Sequence, residues 1–370
     1  MEKSYGLVLE GGGAKGSYQI GAYLALSEMG FNFDAVVGTS IGAINGAFIA
    51  SGEINKCIYM WENLSLHNFF AEDSHYKLPN LSDDLDMISK IKEYRKLMSQ
   101  GTIPSAPLKH LIYDSLSEEK IRNSKMRYGL ATVNVTDRKF EMLFAEEIKE
   151  GELLDYIIGS AYTPFFKVEP LHGKYFLDGG FFNNIPFEMV ENLGMRAVII
   201  RANPKDRHDN SFPKDSIVIE PKKELNSVLN FDTERAKYLM KLGYYDAFKA
   251  VKELPGRDYY FESFDEAKAL DIFVKNLFPY FKENPEKYKY KSPYRILFEE
   301  CFPKIANNLE LENNYRLADL LAAIIEEKFK KEDKERFNFY RIDDYSNDLK
   351  FEDFFIKGDN RNLIQRLINN

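Results

Sequence analysis

Short apolar runs alternate with amphipathic stretches over the first 50 residues of the chain. Residues 4–10 (SYGLVLE) and 34–38 (DAVVG) predict two buried β-strands, because each is a compact apolar run bounded by turn-forming residues. Residues 16–29 and 41–50 predict the helices that follow them. This order indicates a layered α/β fold, in which right-handed crossovers bring both strand-to-helix loops to one edge of the sheet.

The middle of the chain is less regular. Residues 53–70 predict a helix, and the polar stretch 71–105, with a helical pattern at 81–98, is interpreted as an excursion from the sheet. Strand patterns return at 128–135 and 139–144, and the VTDR segment between them predicts the turn of a hairpin.

The pattern then predicts two further kinds of region. An α/β part continues with helix 151–161, which Pro164 ends, strands 173–180, 197–204 and 216–221, and the long helix 231–254. After Pro255 and Gly256 the strand signal fades, and residues 313–331 predict a helix. We therefore expect one domain over residues 1–255 and a mainly helical accessory region over residues 256–370.

Composition and charge narrow the possible functions. Hydrophobic residues make up 44% and charged residues 29%, as in ordinary globular proteins, and the net charge of −8 argues against a nucleic-acid partner. The first apolar run is too short for a signal peptide, and no stretch approaches the ~20 apolar residues of a membrane span. With only Cys57 and Cys301, both expected as buried thiols, a cytoplasmic protein is predicted. The abundance of Asn, Lys, Ile, Phe and Tyr suggests a bacterial source.

A glycine-rich loop, GGGAKG, follows the first predicted strand. Gly11, Gly13 and Gly16 fit the G-x-G-x-x-G pattern of dinucleotide-binding loops, which also requires an acidic residue at the end of the second strand. Asp34 instead begins that strand, and a phosphate-binding P-loop fails because Lys15 precedes Gly16. A nucleotide-binding protein therefore remains only as an alternative.

The second strand ends in GTSIG, which matches the G-x-S-x-G nucleophile elbow. Gly38 and Gly42 flank Ser40 at a predicted strand-to-helix junction, which is the context that this motif requires. The backbone N–H groups of Gly11, Gly12 and Gly13 could then face Ser40 and bind an oxyanion, if the two strands are neighbours. A helix-capping turn is the alternative explanation of these glycines.

A serine nucleophile needs a base, and the histidines are poor candidates. None of the five lies at a glycine-bracketed strand end: His67, His75, His110, His172 and His208. Asp178 ends the apolar run YFLD and is followed by Gly179 and Gly180. A carboxylate there, at the same sheet edge as Ser40, could accept the hydroxyl proton, whereas an Asp that merely begins a tight turn is the alternative.

Three ordered motifs, GGGAKG, GTSIG and DGG, together with the segment 160–190, resemble the patatin-like phospholipases over about residues 5–250. The resemblance implies a three-layer α/β/α sandwich with a central, mostly parallel sheet. It also implies hydrolysis of lipid acyl esters by a Ser–Asp dyad without histidine. Ser40 would be the nucleophile, Asp178 the base and Gly11, Gly12 and Gly13 the oxyanion-hole region.

Other positions fit the resemblance less closely or only support the motifs. Lys15 stands where the family usually has Arg, and Glu10 where many members have Asp. The supporting positions are Lys15, Gly16, Gly38, Gly42, Gly179 and Gly180. No metal or cofactor is expected for this chemistry.

The expected partner is a lipid or phospholipid. Aromatic residues near the site are expected either to pack in the core or to line an acyl pocket: Phe165, Phe166, Phe176, Phe181, Phe182 and Phe187. The Lys- and Tyr-rich stretch 282–295 could touch a membrane surface, but the overall acidity of the chain favours a solvated basic face. A general carboxylesterase, an acyltransferase on smaller esters and a non-catalytic scaffold remain as alternatives.

Overall fold

The computed structural model describes most of the chain as two compact units. The described residues are 4–64, 104–163, 166–203 except 168, 212–283 except 226, 227 and 229, 292–346 and 349. Contacts divide the chain into a first unit, Met1–Ala250, and a second unit, Val251–Asn370. The predicted helix at 81–98, the end of the one predicted over 53–70, and Phe165 lie outside the described residues.

A seven-stranded sheet forms the centre of the first unit. Its strands are β1 (Tyr5–Leu9), β2 (Phe33–Thr39), β3 (Arg127–Asn134), β4 (Lys139–Phe144), β5 (Phe176–Asp178), β6 (Arg196–Ile200) and β7 (Ile217–Ile219). The order is β4-β3-β2-β1-β6-β7, and β5 pairs with β3. Strands β3, β2, β1, β6 and β7 are parallel, whereas β4 and β5 run antiparallel to β3.

Helices cover both faces of this sheet. They are α1 (Gly16–Glu28), α2 (Ile41–Ala50), α3 (Ile54–Asn63), α4 (Ala106–Ser115), α5 (Glu118–Arg122), α6 (Leu153–Ser160), α7 (Phe187–Glu191) and α8 (Thr233–Lys252). Helix α2 lies against Val36, whereas the adjacent Val37 faces the other way and packs with Met189 of α7. Because successive strand residues point to opposite faces, these contacts place α2 and α7 on opposite sides of the sheet. The predicted layered, mostly parallel fold is confirmed.

The strand that carries Asp178 differs from its prediction. The expected strand 173–180 is reduced to β5, because His172 and Gly173 both have positive φ and form a turn before it. Residues Gly179–Phe181 then form a turn of 3₁₀-helix. The other strands and helices predicted within the described residues of this unit are found, with ends displaced by a few residues.

The second unit is mainly helical, as predicted. It contains α9 (Glu266–Glu283), α10 (Pro293–Ile296), a π-helical turn (Leu297–Cys301), α11 (Phe302–Asn308), α12 (Leu317–Lys331) and α13 (Asp343–Ser346). Two short parallel strands that the sequence did not predict, β8 (Tyr260–Phe261) and β9 (Phe339–Tyr340), pair with each other. They are too short to carry a periodic signal. Among the helices that the structure describes, none has the length and apolar character needed to cross a bilayer.

Candidate active site

Ser40 occupies a strained turn between β2 and α2. Its φ of 56° and ψ of −125° are unusual for a residue with a side chain, and such conformations persist only where the surrounding structure enforces them. A Cβ atom on Gly42 would lie 2.3 Å from the Leu9 carbonyl oxygen, and one on Gly38 would lie 2.3 Å from the Gly42 carbonyl carbon. Glycine at both positions therefore allows the strand, the helix and β1 to approach closely.

The register of β3 brings Asp178 to Ser40. Thr39 of β2 pairs with Ala131, and Asp178 of β5 pairs with Thr132, the next residue of β3. Strands β2 and β5 therefore meet end to end along β3, and each terminates at the same point. The expected proximity of the two residues is present, but it arises from an antiparallel strand rather than from a parallel neighbour.

The two side chains form a short hydrogen bond. The Ser40 hydroxyl donates to Asp178 Oδ2 at 2.6 Å, and both residues are buried. The other carboxylate oxygen of Asp178 accepts the Gly180 N–H at 2.8 Å, and the Asp178 N–H donates to the Tyr162 carbonyl at 2.9 Å. Because its backbone and one oxygen are held, Asp178 presents its second oxygen to Ser40.

Burial changes the proton affinity of this carboxylate. Desolvation raises the pKa of Asp178 to about 6, and the hydrogen bonds from Ser40 and Gly180 lower it in part. At pH 7 a carboxylate with this pKa is ionised in about nine molecules of ten. It is thus charged at neutral pH, yet a stronger base than an ordinary exposed aspartate.

The glycine loop lies beside Ser40, but its three glycines differ. The Gly11 N–H, one of the three expected oxyanion donors, donates to the Asn184 carbonyl at 3.1 Å. This N–H group is therefore already engaged in a hydrogen bond. A Cβ on Gly11 would lie 2.2 Å from Asn184 Oδ1 and 3.3 Å from Ser40 Cβ, so glycine is needed there for space. Within the described part of the chain, the N–H groups of Gly12 and Gly13 have no hydrogen-bond partner.

Buried polar side chains hold this loop in place. Glu10 Oε2 accepts the N–H groups of Ala202 and Asn203, at 2.5 and 2.8 Å, from the segment after β6. Lys15 Nζ donates to Asn203 Oδ1 at 2.7 Å. Lys15 and Glu10 thus tie the loop to the neighbouring strand.

The remaining supporting glycines act by allowing close packing. A Cβ on Gly16 would lie 2.5 Å from Ile41 Cγ1, so this glycine lets α1 approach the start of α2. A Cβ on Gly179 would lie 2.3 Å from the Ala131 carbonyl oxygen on β3. The turn after Asp178 can therefore follow β3 only with glycine at position 179.

Sequence reasoning missed two polar residues of the site. Ser160, at the end of α6, accepts the Ser40 N–H at 2.9 Å and donates to the Ala131 carbonyl at 2.7 Å. Asn184 donates from Nδ2 to the Gly11 carbonyl at 3.1 Å. Each is a buried or half-buried polar residue beside an apolar stretch, and that contrast was the available signal.

The described histidines lie elsewhere. His172 Nε2 is 2.6 Å from Asp155 Oδ2, and the Tyr113 hydroxyl donates to the other oxygen of Asp155. His110 is exposed on α4. Neither histidine hydrogen-bonds to Ser40 or Asp178, whereas His67, His75 and His208 lie outside the described residues.

The aromatic residues near the site divide into two groups. Phe176 is buried against Tyr156, with ring centroids 4.9 Å apart, and Phe187 packs against the core cluster around Met189. Phe166 is half-buried. In contrast, Phe181 and Phe182 are 64% and 71% exposed, so they are not core residues.

Comparisons with known proteins match the part of the chain that contains this site. Residues 7–190, about half of the chain, match the family model of patatin-like phospholipase. Patatin-like phospholipase domain-containing protein 7 of Rattus norvegicus is 28% identical over 212 residues, which are 55% of this chain and 14% of that protein. Neuropathy target esterase sws of Drosophila melanogaster is 28% identical over 204 residues, or 53% and 12% of the two chains.

A solved structure is also similar at low identity. The crystal structure of VipD from Legionella pneumophila aligns with a TM-score of 0.45 and 14% identity, over 90% of this chain and 85% of that one. The curated relatives are several times longer than their matched regions. The family-model match contains both Ser40 and Asp178.

Proposed function

This chain belongs to the patatin-like phospholipase family through residues 7–190, and we propose that it is a serine acyl hydrolase with a Ser40–Asp178 dyad. Its substrates are fatty-acyl esters of lipids and phospholipids. The observation that carries the proposal is the 2.6 Å hydrogen bond between the Ser40 hydroxyl and the buried Asp178 carboxylate, at a nucleophile with positive φ. A serine that served only as a helix cap would need neither feature.

The proposed reaction proceeds through an acyl-enzyme. Asp178 accepts the hydroxyl proton as Ser40 Oγ attacks the ester carbonyl carbon, and a tetrahedral oxyanion forms. When the intermediate collapses, the carbon–oxygen bond to the alcohol breaks, and the alcohol leaves with the proton from Asp178. A water molecule, deprotonated by Asp178, then attacks the acyl-serine and releases the fatty acid and the Ser40 hydroxyl.

Backbone N–H groups are the proposed oxyanion donors. Gly12 and Gly13 follow β1, the strand next to the one that ends at Ser40, and have no other hydrogen-bond partner among the described residues. Ile41, directly after the nucleophile, begins α2, so its N–H lies in the first turn of the helix, where it has no partner within the helix. Fixed donors at the point where negative charge develops stabilise the transition state.

Ester hydrolysis by matched variants tests the dyad. We expect Ser40→Ala and Asp178→Asn to lower kcat/KM for a medium-chain nitrophenyl ester by at least about 10³-fold, as losses of nucleophile and base do in other hydrolases. His172→Ala is the control, and it should remain within about threefold of wild type since its partner is Asp155. A phosphonate probe should label wild-type protein but not Ser40→Ala. Full activity in Asp178→Asn, or an inactive His172→Ala with intact folding, would refute the dyad.

Substrate length separates lipid hydrolysis from its alternatives. A lipid hydrolase should turn over long-chain phospholipid faster than short soluble esters, whereas a general carboxylesterase should prefer the short esters. Transfer of the acyl group to an added alcohol in place of water would indicate an acyltransferase. Each comparison uses Ser40→Ala as the background rate.

A further inference from the structure

One corner of the first unit's sheet carries an open apolar surface. Val133 of β3 pairs with Phe140 of β4 on one side and with Leu177 of β5 on the other, so these three side chains point to the same face. The alternate positions Thr132 and Phe176 point to the opposite face and are buried. The sheet is therefore covered on one face at this corner and only half-covered on the other.

Exposed aromatic residues extend this face beside the active site. Phe182 stacks on Phe140, with ring centroids 5.2 Å apart and an interplanar angle of 13°. Its neighbour Phe181 is only three residues after Asp178 and is equally open to solvent. Val135 and Tyr175, which are joined by a backbone hydrogen bond of 2.8 Å, are 42% and 46% exposed.

We call this surface the corner patch and define it by six residues: Val135, Phe140, Tyr175, Leu177, Phe181 and Phe182. Phe140 and Leu177 are half-buried and the other four are exposed. Exposed apolar side chains clustered in this way mark an interaction surface rather than ordinary scatter. Two of its members are close to Asp178 in sequence: Leu177 directly precedes it and Phe181 is the third residue after it. Alternation along β5 points Leu177 and Asp178 to opposite faces of the sheet, so the turn after Asp178 is what connects the patch with the dyad. The Thr39 hydroxyl donates to the Asn183 carbonyl at 2.9 Å, so the segment that carries Phe181 and Phe182 contacts the residue before Ser40.

The charges beside the patch are mainly cationic. Arg138, in the turn between β3 and β4, and Lys139, the first residue of β4, are exposed, and neither makes an ion pair within the described part of the chain. The nearby acid Asp137 is paired with Lys174 at 3.1 Å, so that pair contributes little net charge. Two unpaired cations beside exposed aromatic rings suit an anionic, amphipathic surface.

We propose that the corner patch docks the protein on a lipid–water interface that contains anionic headgroups. This inference rests on the proposed lipid substrate, because an enzyme that takes lipids from an aggregate must approach its surface with the active site nearby. Phe181 and Phe182 enter the interfacial region, and Arg138 and Lys139 lie at headgroup level. Exposed aromatic rings with Arg138 and Lys139 at one side are the composition that an anionic lipid–water interface attracts.

Vesicle binding by inactive protein tests docking separately from catalysis. All binding variants carry Ser40→Ala, and the probe is phosphatidylcholine vesicles with or without phosphatidylglycerol. We expect the double variant Phe181→Ser/Phe182→Ser to lower the vesicle-bound fraction at least about fivefold, since two buried phenyl rings are lost from the interface. Tyr59→Ser is the matched control, because Tyr59 is 68% exposed on α3 and lies outside the patch.

The cations and the soluble substrate provide the second comparison. Arg138→Gln/Lys139→Gln should weaken binding to phosphatidylglycerol vesicles but not to neutral ones, and added salt should have the same effect. In proteins that retain Ser40, the aromatic double variant should hydrolyse a short soluble ester within about twofold of wild type but lose most of its activity on vesicles.

Three results would overturn docking. One is unchanged vesicle binding by the folded aromatic double variant. Another is an equal loss of activity on short soluble esters, which would make the patch a substrate pocket. The third is self-association of the wild-type protein, measured by light scattering, that the aromatic double variant abolishes while its vesicle binding stays unchanged. If no ester is hydrolysed but vesicle binding depends on the patch, the proposed function fails while docking survives.

Discussion

At the scale of single residues, Asp178 is a buried carboxylate that is ionised at neutral pH. Ordinary aspartates ionise near pH 3.8, whereas burial raises the pKa of this one to about 6. Its hydrogen-bond donors, the Ser40 hydroxyl and the Gly180 N–H, only partly compensate for the loss of water. The same desolvation that makes Asp178 a better base should therefore be visible both in catalysis and in stability.

The first consequence concerns the pH dependence of activity. Only ionised Asp178 accepts the Ser40 proton, so kcat/KM for a soluble ester should be constant above about pH 7 and fall tenfold per pH unit well below 6. A pH–rate profile with a nitrophenyl ester measures this. His172→Ala should give the same midpoint. A midpoint that moves in that variant, or a flat profile down to pH 5, contradicts the assignment of Asp178 as base.

The second consequence concerns stability. The pKa of Asp178 is higher in the folded protein than in the unfolded chain, so between about pH 4 and 6 the folded protein binds more protons than the unfolded chain does. The free energy of unfolding therefore falls as pH rises through this window. At pH 8 the ionised carboxylate therefore destabilises the fold by on the order of 1–3 kcal/mol. Asp178→Asn removes that charge and should resist urea at least as well as wild type at pH 8, although it is inactive.

Trp61 offers a simple measurement of this effect. It is the only tryptophan of the chain and lies buried in α3, so its fluorescence follows unfolding of the first unit. The stability advantage of Asp178→Asn should shrink as pH falls toward 4, where wild-type Asp178 is neutral as well. A variant that is less stable than wild type by more than about 1 kcal/mol at pH 8 would show that the carboxylate is a net stabiliser.

At the scale of elements, the nucleophile depends on how tightly α2 approaches β1. A Cβ on Gly42 would lie 2.3 Å from the Leu9 carbonyl oxygen, and a backbone atom inside a sheet cannot move aside easily. Gly42→Ala should therefore displace the start of α2 and lower the free energy of unfolding by about 2–4 kcal/mol. It should also reduce kcat for ester hydrolysis far more than it reduces the affinity for a substrate analogue.

Gly46→Ala on the same helix is the matched control. There the nearest atom to an added Cβ is Val36 Cγ2 at 3.3 Å, a side-chain methyl group that can adjust. Alanine also favours helix over glycine by about 1 kcal/mol. Ester hydrolysis and urea unfolding should thus remain near wild type for Gly46→Ala. Similar losses in the two variants would mean that α2 tolerates no added methyl group at all, and the specific role of Gly42 would be wrong.

The elements that the sequence could predict are those with a local signal. The first two strands and helices, with Ser40 between them, follow from apolar runs and turn residues that lie within a few positions of one another. Strand β5 has only three residues, and its antiparallel pairing depends on β3, more than 40 positions away. Long-range pairing of this kind leaves no periodic trace. The roles of Ser160 and Asn184 depend on it and were missed for the same reason.

At the scale of the whole molecule, the chain builds two cores. The first unit packs its apolar residues around the mixed sheet, whereas the second packs aromatic rings among helices. The pattern of contacts divides the chain into two units between Ala250 and Val251, and the sequence pattern predicted a boundary near residue 255. We propose that the two units unfold as separate cooperative transitions, since each contains its own buried cluster.

A substitution in the second core tests this separation. The Phe329 ring lies 4.7 Å from the rings of Tyr340 and Tyr345 and 5.2 Å from that of Tyr259. Phe329→Ala removes these contacts and should destabilise the second unit by about 3–5 kcal/mol. In urea unfolding followed by helical circular dichroism, a transition should then appear at a lower urea concentration than in wild type. The midpoint seen by Trp61 fluorescence and the rate of soluble-ester hydrolysis should stay unchanged.

The matched control is Phe48→Ala, which opens a cavity in the first unit. Phe48 is fully buried in α2, the helix that follows Ser40. This variant should move the Trp61 midpoint by a similar free energy and leave the second transition in place. If Phe329→Ala instead shifts the fluorescence and the circular dichroism together, the two cores unfold as one. The second unit would then stabilise the fold that holds Ser40 and Asp178, and its truncation should abolish activity.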